Sequence, residues 1–450
     1  MNKLTFRNIV LLWLAWVLIV IGFQAFATAR IQPQWPDRAQ WWTQDNTAPK
    51  ANYQKGHPYL LEPFMNNQVA WDSEYYLAIA IGGYDDPCSP TIDLDNGARV
   101  SVPCTAKNPP PPKEGGQKPV SLSYAFFPMY PIMIHLFAIP LGLILKPIAA
   151  ATLAGVIVSA LGTLAAMLAL YDLTHDSLGE DGAMRAVFYL IIFPTGFFLA
   201  QIYTEGLFVG LAFSCLAMLK RKQLVLAAIL AAAATMTRAV GVTLAIPMVI
   251  TWIRTNEWHS LDLEWSQLYY HRPPLRSIWG ALLAFTPLIV FAIWKVSYYG
   301  FAFSFVENNF FGRTFMDIGY SFDSWSQSFA EMLIGILSLK TTPAMQLFVN
   351  PQHTAYYFTE FLGMAIALLT IMRCRKTHPE LAWFSIAVFL ISWGSGPAQG
   401  IHRYILAAPA IFVVLAEWGK NPVFDRAWTL ASALLMGLLA MLYAFNYWVA

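Results

Sequence analysis

The sequence predicts an all-α polytopic membrane protein. Of its 450 residues, 57% are hydrophobic and only 12% charged, about half the charged share of a soluble domain. Several apolar runs reach the roughly 20 residues that cross a bilayer as helix. Lysines and arginines gather in short turns between those runs, the bias that marks cytoplasmic loops. A net charge of +2 gives no ground for nucleic-acid binding.

The first run, 8–28, is too long for a signal peptide's apolar core and lacks a clear cleavage site, so it reads as a retained helix. Further crossings are expected at 148–171, 185–201, 204–219, 223–237, 239–253, 278–298, 354–372, 380–394, 403–417 and 428–447. Together they predict a bundle of about 11 transmembrane helices, N-terminus inside and C-terminus outside. Lys3 and Arg7, Lys220-Arg221-Lys222, Arg254 with Arg272 and Arg276, Arg373 with Arg375 and Lys376, and Lys420 with Arg426 then all lie on the cytoplasmic side. Segment 126–147 is also apolar, but Pro128, Pro131, Pro140 and Pro147 interrupt its helical hydrogen bonding. It reads as a re-entrant or interfacial outer segment, because a full crossing would turn every later basic loop outward. The same count makes the acidic turn 172–184 cytoplasmic, against its composition, although acidic residues weigh little here. Spans 223–237 and 239–253 reach only about 22 Å each and need shielding by the bundle.

Two long loops, 29–125 and 299–353, fall outside. The first carries Pro109-Pro110-Pro111-Pro112 ahead of Gly115-Gly116, a stiff-then-flexible spacer. The second is rich in phenylalanine (Phe301, Phe303, Phe305, Phe310, Phe311), as suits an interface. No internal repeat is visible, and residues 1–450 read as a single membrane-embedded domain. Cys88 and Cys104 share the first loop and are expected to form a disulfide if it faces an oxidising compartment; two free thiols are the alternative.

The chemistry-bearing residues lie in the outer segments. Asp72, in Trp71-Asp72-Ser73-Glu74-Tyr75-Tyr76, is a candidate general base on a hydroxyl; alternatively it caps the helix that follows. Glu74 reads as a first-turn residue favoured by the helix dipole. Glu205 and Arg238 interrupt apolar sequence, where ionisable residues carry function by default. Arg238 either holds a phosphate or pairs with Glu205. His402-Arg403-Tyr404 follows a glycine-rich turn, and Arg403 suits bidentate phosphate contacts. Lys295, near a span end, is expected to snorkel. No HExxH, CxxC, P-loop or dinucleotide fingerprint occurs, so no metal or cofactor is expected. Without a nucleotide site, an outer-side sugar donor would be lipid-linked.

Several blocks resemble the PIG-V family of mannosyltransferases, membrane enzymes of the GT-C class with bacterial relatives. Trp71-Asp72, Tyr76, Ile79-Ala80 and Gly83-Tyr84 resemble its WD...Y..IA..GY segment. Ala125-Phe126-Phe127-Pro128-Met129-Tyr130-Pro131 resembles its FFPxYP block. Phe193-Pro194-Thr195-Gly196-Phe197-Phe198 with Tyr203-Thr204-Glu205-Gly206-Leu207-Phe208 resembles P..FF...YTESLF, Thr237-Arg238-Ala239-Val240-Gly241 resembles TRPxG, and Arg403-Tyr404 its late RY block. Their order covers about residues 70–410. Tyr75, Gly206 and Ala239 depart from the family's frequent His, Ser and Pro.

The resemblance implies a GT-C-like bundle and inverting transfer of mannose from a polyprenyl-phosphate donor to a lipid-linked or glycan acceptor at the outer face, without an essential metal. It implies Asp72 as base and, with the residue readings, gives Arg403, Arg238 and His402 as phosphate ligands. Trp71, Tyr75, Tyr76, Phe127, Tyr130, Glu205 and Tyr404 would contact substrates. The expected location is a bacterial cell membrane, or the endoplasmic reticulum of a eukaryote. Two other classes are a secondary transporter using Glu205, Arg238 and Lys295, and a non-catalytic subunit of a glycan assembly complex.

Overall fold

The computed structural model describes residues 2–32, 58–93, 99–100, 119–255, 275–312, 316–338 and 351–449. Those residues form seventeen α-helices and one small sheet. In chain order they are α1 (Lys3–Arg30), α2 (Pro58–Leu61), α3 (Ser73–Gly82), α4 (Met129–Leu141), α5 (Pro147–Ile192), α6 (Thr204–Lys220), α7 (Leu224–Thr237), α8 (Ala245–Thr255) and α9 (Leu275–Ala284). Then follow α10 (Thr286–Lys295), α11 (Tyr298–Asn309), α12 (Ile318–Ser338), α13 (Pro351–Cys374), α14 (Pro379–Trp393), α15 (Ile401–Tyr404), α16 (Pro409–Trp418) and α17 (Pro422–Ala444).

The expected segments are helical, and the chain is an all-α integral membrane protein. Among the described residues, four helices are long and apolar enough to cross a membrane, or up to six if each bent pair makes one span. Several expected spans are composites. The pair α9–α10 bends by 60° and the segment from α15 into α16 by 87°, with Pro287 and Pro409 in the first turn after each break. Proline lacks the amide proton that would continue the preceding helix. Helix α4 is only 13 residues, about 20 Å long, which fits a segment too short to cross alone. Expected loop 299–353 is more structured than its composition suggested, because α11 and α12 occupy its described part.

Helix α5 is the spine. Its 46 residues kink at Gly179, whose φ of 71° is left-handed and favours glycine. Charged contacts gather around that kink. Arg221 donates to both carboxylate oxygens of Asp172 at 2.8 and 3.1 Å, and Lys220 lies 2.8 Å from Asp176. Thr5 donates to Glu180 at 2.6 Å, Tyr189 donates to Asp425 at 2.6 Å, and the His378 ring meets Ser177 at 2.8 Å. The acidic turn 172–184 therefore sits with the N-terminus and the basic turns at one end of the bundle. Its counter-charges explain a composition that the orientation rule alone left odd.

The described part of loop 29–125 packs at the other end. Strands β1 (Thr91–Ile92), β2 (Arg99–Val100) and β3 (Val120–Ser121) pair antiparallel in the order β2-β1-β3. Asp86 is buried, accepting from the Tyr59 hydroxyl and the Cys88 amide, both at 2.8 Å. Burial pushes its carboxyl above the usual range, and its contacts tie the loop together. Cys88 is disulfide-bonded, while Cys215 and Cys374 are free. Its expected partner, Cys104, lies outside the described residues.

Candidate functional site

At that second end lies a cavity of about 760 Å³. Trp71, Asp72, Tyr75, Tyr76, Phe127, Arg238, Arg403 and Tyr404 all line it, so residues spread over more than 330 positions converge.

The start of α3 aims Asp72 into the cavity. Trp71 has a φ of 53°, uncommon for a residue with a bulky side chain, and such strain clusters at functional sites. Its indole donates to the Tyr447 carbonyl at 3.3 Å and meets Trp448 edge-on at 4.9 Å. Local turn contacts fall to Ser73, whose hydroxyl accepts from the Ala70 amide and reaches the Ile202 carbonyl and the Tyr443 hydroxyl, both at 3.1 Å. The Asp72 side chain caps no helix amide, which removes the capping alternative, and it stays 28% exposed.

Behind it runs a chain of alternating charge. Arg403 Nη1 is 4.0 Å from Asp72 Oδ2, and Arg403 Nε is 3.3 Å from Glu205 Oε1. Arg238 donates to Glu205 and, at 2.9 Å, to Thr204. Glu205, 3% exposed, neutralises both arginines from beneath and does not line the cavity itself. Aromatic faces surround Arg403: Phe198, Tyr203 and Tyr404 rings lie 5.0 to 5.2 Å from its guanidinium, an attractive arrangement. Its Nη2 donates to Tyr404 at 3.3 Å. Its buried Nε and Nη1 have no hydrogen-bond partner, because the contact with Glu205 is not aligned as a hydrogen bond. Such donors are costly to leave unmade and are available to an anion.

Two expected ligands face elsewhere. His402 does not reach the cavity: its Nδ1 lies 2.8 Å from Glu360 and its Nε2 2.8 Å from the Val449 carbonyl. With Nε2 on a backbone carbonyl, Nδ1 turned to Glu360 and the residue absent from the cavity wall, its role is corrected to positioning. Tyr130 is fully buried, its hydroxyl on the Gly155 carbonyl and Ser159 at 3.0 and 2.8 Å; it packs α4 on α5 rather than touching a ligand. Glu205 is likewise a counter-ion rather than a wall residue.

Sequence reasoning missed Glu360. Fully buried on α13, it accepts the amides of Gly400 and, at 3.0 Å, His402, and so fixes the turn presenting Arg403. A carboxylate inside an apolar span was the available signal. Lys295, Glu307, Asn308, Gln399, Asn446 and Trp448 also line the cavity. Only the fold brings them there, and no local motif marks them.

No family model matches this chain, and no curated protein matches it. Among solved structures it is similar to the oligosaccharyltransferase AglB from Archaeoglobus fulgidus in complex with an inhibitory peptide and a dolichol-phosphate. That likeness has 14% identity and a TM-score of 0.40, over 96% of this chain and 55% of that one. It is also similar to ArnT from Cupriavidus metallidurans bound to undecaprenyl phosphate, with 15% identity and a TM-score of 0.39, over 72% of this chain and 66% of that one. The chain thus spans about half the length of the first and two thirds of the second.

Proposed function

We propose that this protein is a GT-C-type glycosyltransferase that moves a sugar from a polyprenyl-phosphate donor to a lipid-linked or glycan acceptor. The observation that carries the reading is one cavity joining a non-capping carboxylate, Asp72, to a buried arginine, Arg403, with two unused donors. Transfer needs a group that accepts the acceptor's proton and a fixed positive environment for the leaving phosphate. In this reading the acceptor oxygen attacks the sugar's anomeric carbon while Asp72 takes its proton. The anomeric C–O bond breaks, and its electron pair leaves on the phosphate oxygen, beside Arg403. Arg238 supports Arg403 through Glu205. Trp71, Tyr75, Tyr76, Phe127 and Tyr404 offer aromatic surface to sugar and lipid. The resemblance of the WD, FFPMYP and YTEGLF segments to the PIG-V family favours mannose as the sugar.

The test is transfer from labelled polyprenyl-phosphate-mannose by purified protein, wild type against Asp72→Asn. The variant is expected to lose at least about a hundredfold in turnover, in the range of general-base contributions, at unchanged thermal stability. Near-wild-type turnover removes Asp72 from the mechanism.

A further inference from the structure

We propose that Lys295 is a capture cation for the phosphate of an anionic isoprenoid lipid, at the lipid-facing mouth of the cavity. This rests on the functional reading above and adds how the lipid arrives. Two observations carry it.

The first is the distribution of charge. Arg238 and Arg403 share Glu205, and Arg403 lies 4.0 Å from Asp72, so both arginines already have carboxylate partners. Lys295 also lines the cavity. Its ammonium donates to the Ser304 hydroxyl and lies 5.3 Å from the centre of the Phe303 ring. It makes no ion pair with a described residue, and Glu307, which lines the same cavity, acts on its charge from beyond ion-pair distance. An arriving phosphate therefore meets, at Lys295, a cation held in no direct ion pair before it meets the arginines bound to Glu205.

The second is the surroundings. Lys295 ends α10, where the 60° break after α9 turns it onto the cavity wall. The same helix exposes Ile289 and Ile293, and Val296 just past its end is 86% exposed, as a lipid-facing surface would be. On the cavity side, Phe127 stacks on Trp294 at 4.3 Å, and Phe303 meets both rings at 5.5 and 5.1 Å. A cation at the seam between lipid and an aromatic wall suits a ligand with a charged head and an apolar tail. Snorkelling alone would leave the ammonium outside the cavity.

A charge at the rim of a site acts mainly on association rate and its salt dependence. Stopped-flow association of fluorophore-labelled polyprenyl phosphate with protein in neutral nanodiscs tests this for wild type, Lys295→Gln and Lys295→Arg. Lys295→Gln is expected to slow association at low salt about tenfold and to flatten its salt dependence. It should raise KM for the donor and leave kcat at saturation unchanged, with Lys295→Arg close to wild type and thermal stability equal in all three. Unphosphorylated polyprenol should not respond to the substitution. Phosphatidylglycerol and inorganic phosphate should compete poorly.

Equal association rates for wild type and Lys295→Gln overturn the proposal. So does competition by phosphatidylglycerol at matched concentration, which makes Lys295 a general headgroup anchor, or by inorganic phosphate, which makes the lipid irrelevant. A fall in kcat at unchanged KM also overturns it. A wild type that binds no polyprenyl phosphate defeats the functional reading itself, and this inference with it.

Discussion

Glu205 holds two arginines with one carboxylate. Arg238 donates to it and Arg403 lies 3.3 Å away, all three largely out of water. Removing one partner of a buried ion pair leaves an uncompensated charge and costs about 3–5 kcal/mol. Glu205→Gln is therefore expected to lower thermal stability sharply in detergent; an unchanged melting temperature would show that the arginines are compensated elsewhere. Arg403 is expected to behave differently, because the proposed reading places it in contact with the ligand. Arg403→Ala should weaken polyprenyl-phosphate binding by about 1.5–3 kcal/mol, roughly ten- to a hundredfold. Arg403→Lys should recover only part, since it keeps the charge and loses the planar fork. If Arg403→Ala binds as wild type, or loses binding only by unfolding, the phosphate site lies elsewhere. Arg238 was legible because a charge stands out in apolar sequence, Asp72 from its Trp71-Asp72 segment and Arg403 from the glycine-rich turn before it. The directions of the His402 and Tyr130 side chains were not, since one helical step turns a residue by about 100°.

At the scale of elements, glycine decides how closely α6 approaches α5. A Cβ on Gly206 would lie 2.4 Å from the Ser159 carbonyl, one on Gly210 2.3 Å from that of Gly162, and one on Gly162 2.4 Å from that of Gly206. Small residues four apart let membrane helices touch through their backbones. This gives a physical reason for glycine at 206, where the YTESLF pattern would put serine. Gly206→Ser is expected to destabilise by about 1–3 kcal/mol, the usual cost of overpacking, and to disturb the neighbouring Glu205. Thermal unfolding of the purified variant checks it, and wild-type stability would contradict the close approach. Helix positions were legible from apolar runs. The breaks at 285 and 408 were not, because a proline in the first turn is equally compatible with a fresh start or a straight helix. That is why Lys295 read as a snorkelling residue and instead lines the cavity.

The whole molecule has two chemically different ends. One gathers the basic turns with Asp172, Asp176 and Glu180; the other holds the cavity. The positive-inside bias assigns the first to the cytoplasm. Lys222→Cys and Asn309→Cys, both at exposed positions, test this with a membrane-impermeant thiol reagent on intact cells. Asn309→Cys should react directly and Lys222→Cys only after permeabilisation; the reverse pattern would invert the orientation. The central claim is that the cavity at the outer end receives a polyprenyl-phosphate donor. The most direct measurement is a structure determined with polyprenyl-phosphate sugar bound to the Asp72→Asn variant. The account predicts a phosphate oxygen within hydrogen-bond distance of Arg403 and the sugar's anomeric carbon facing residue 72. A lipid phosphate bound outside this cavity, in protein whose wild type still transfers sugar, would contradict it.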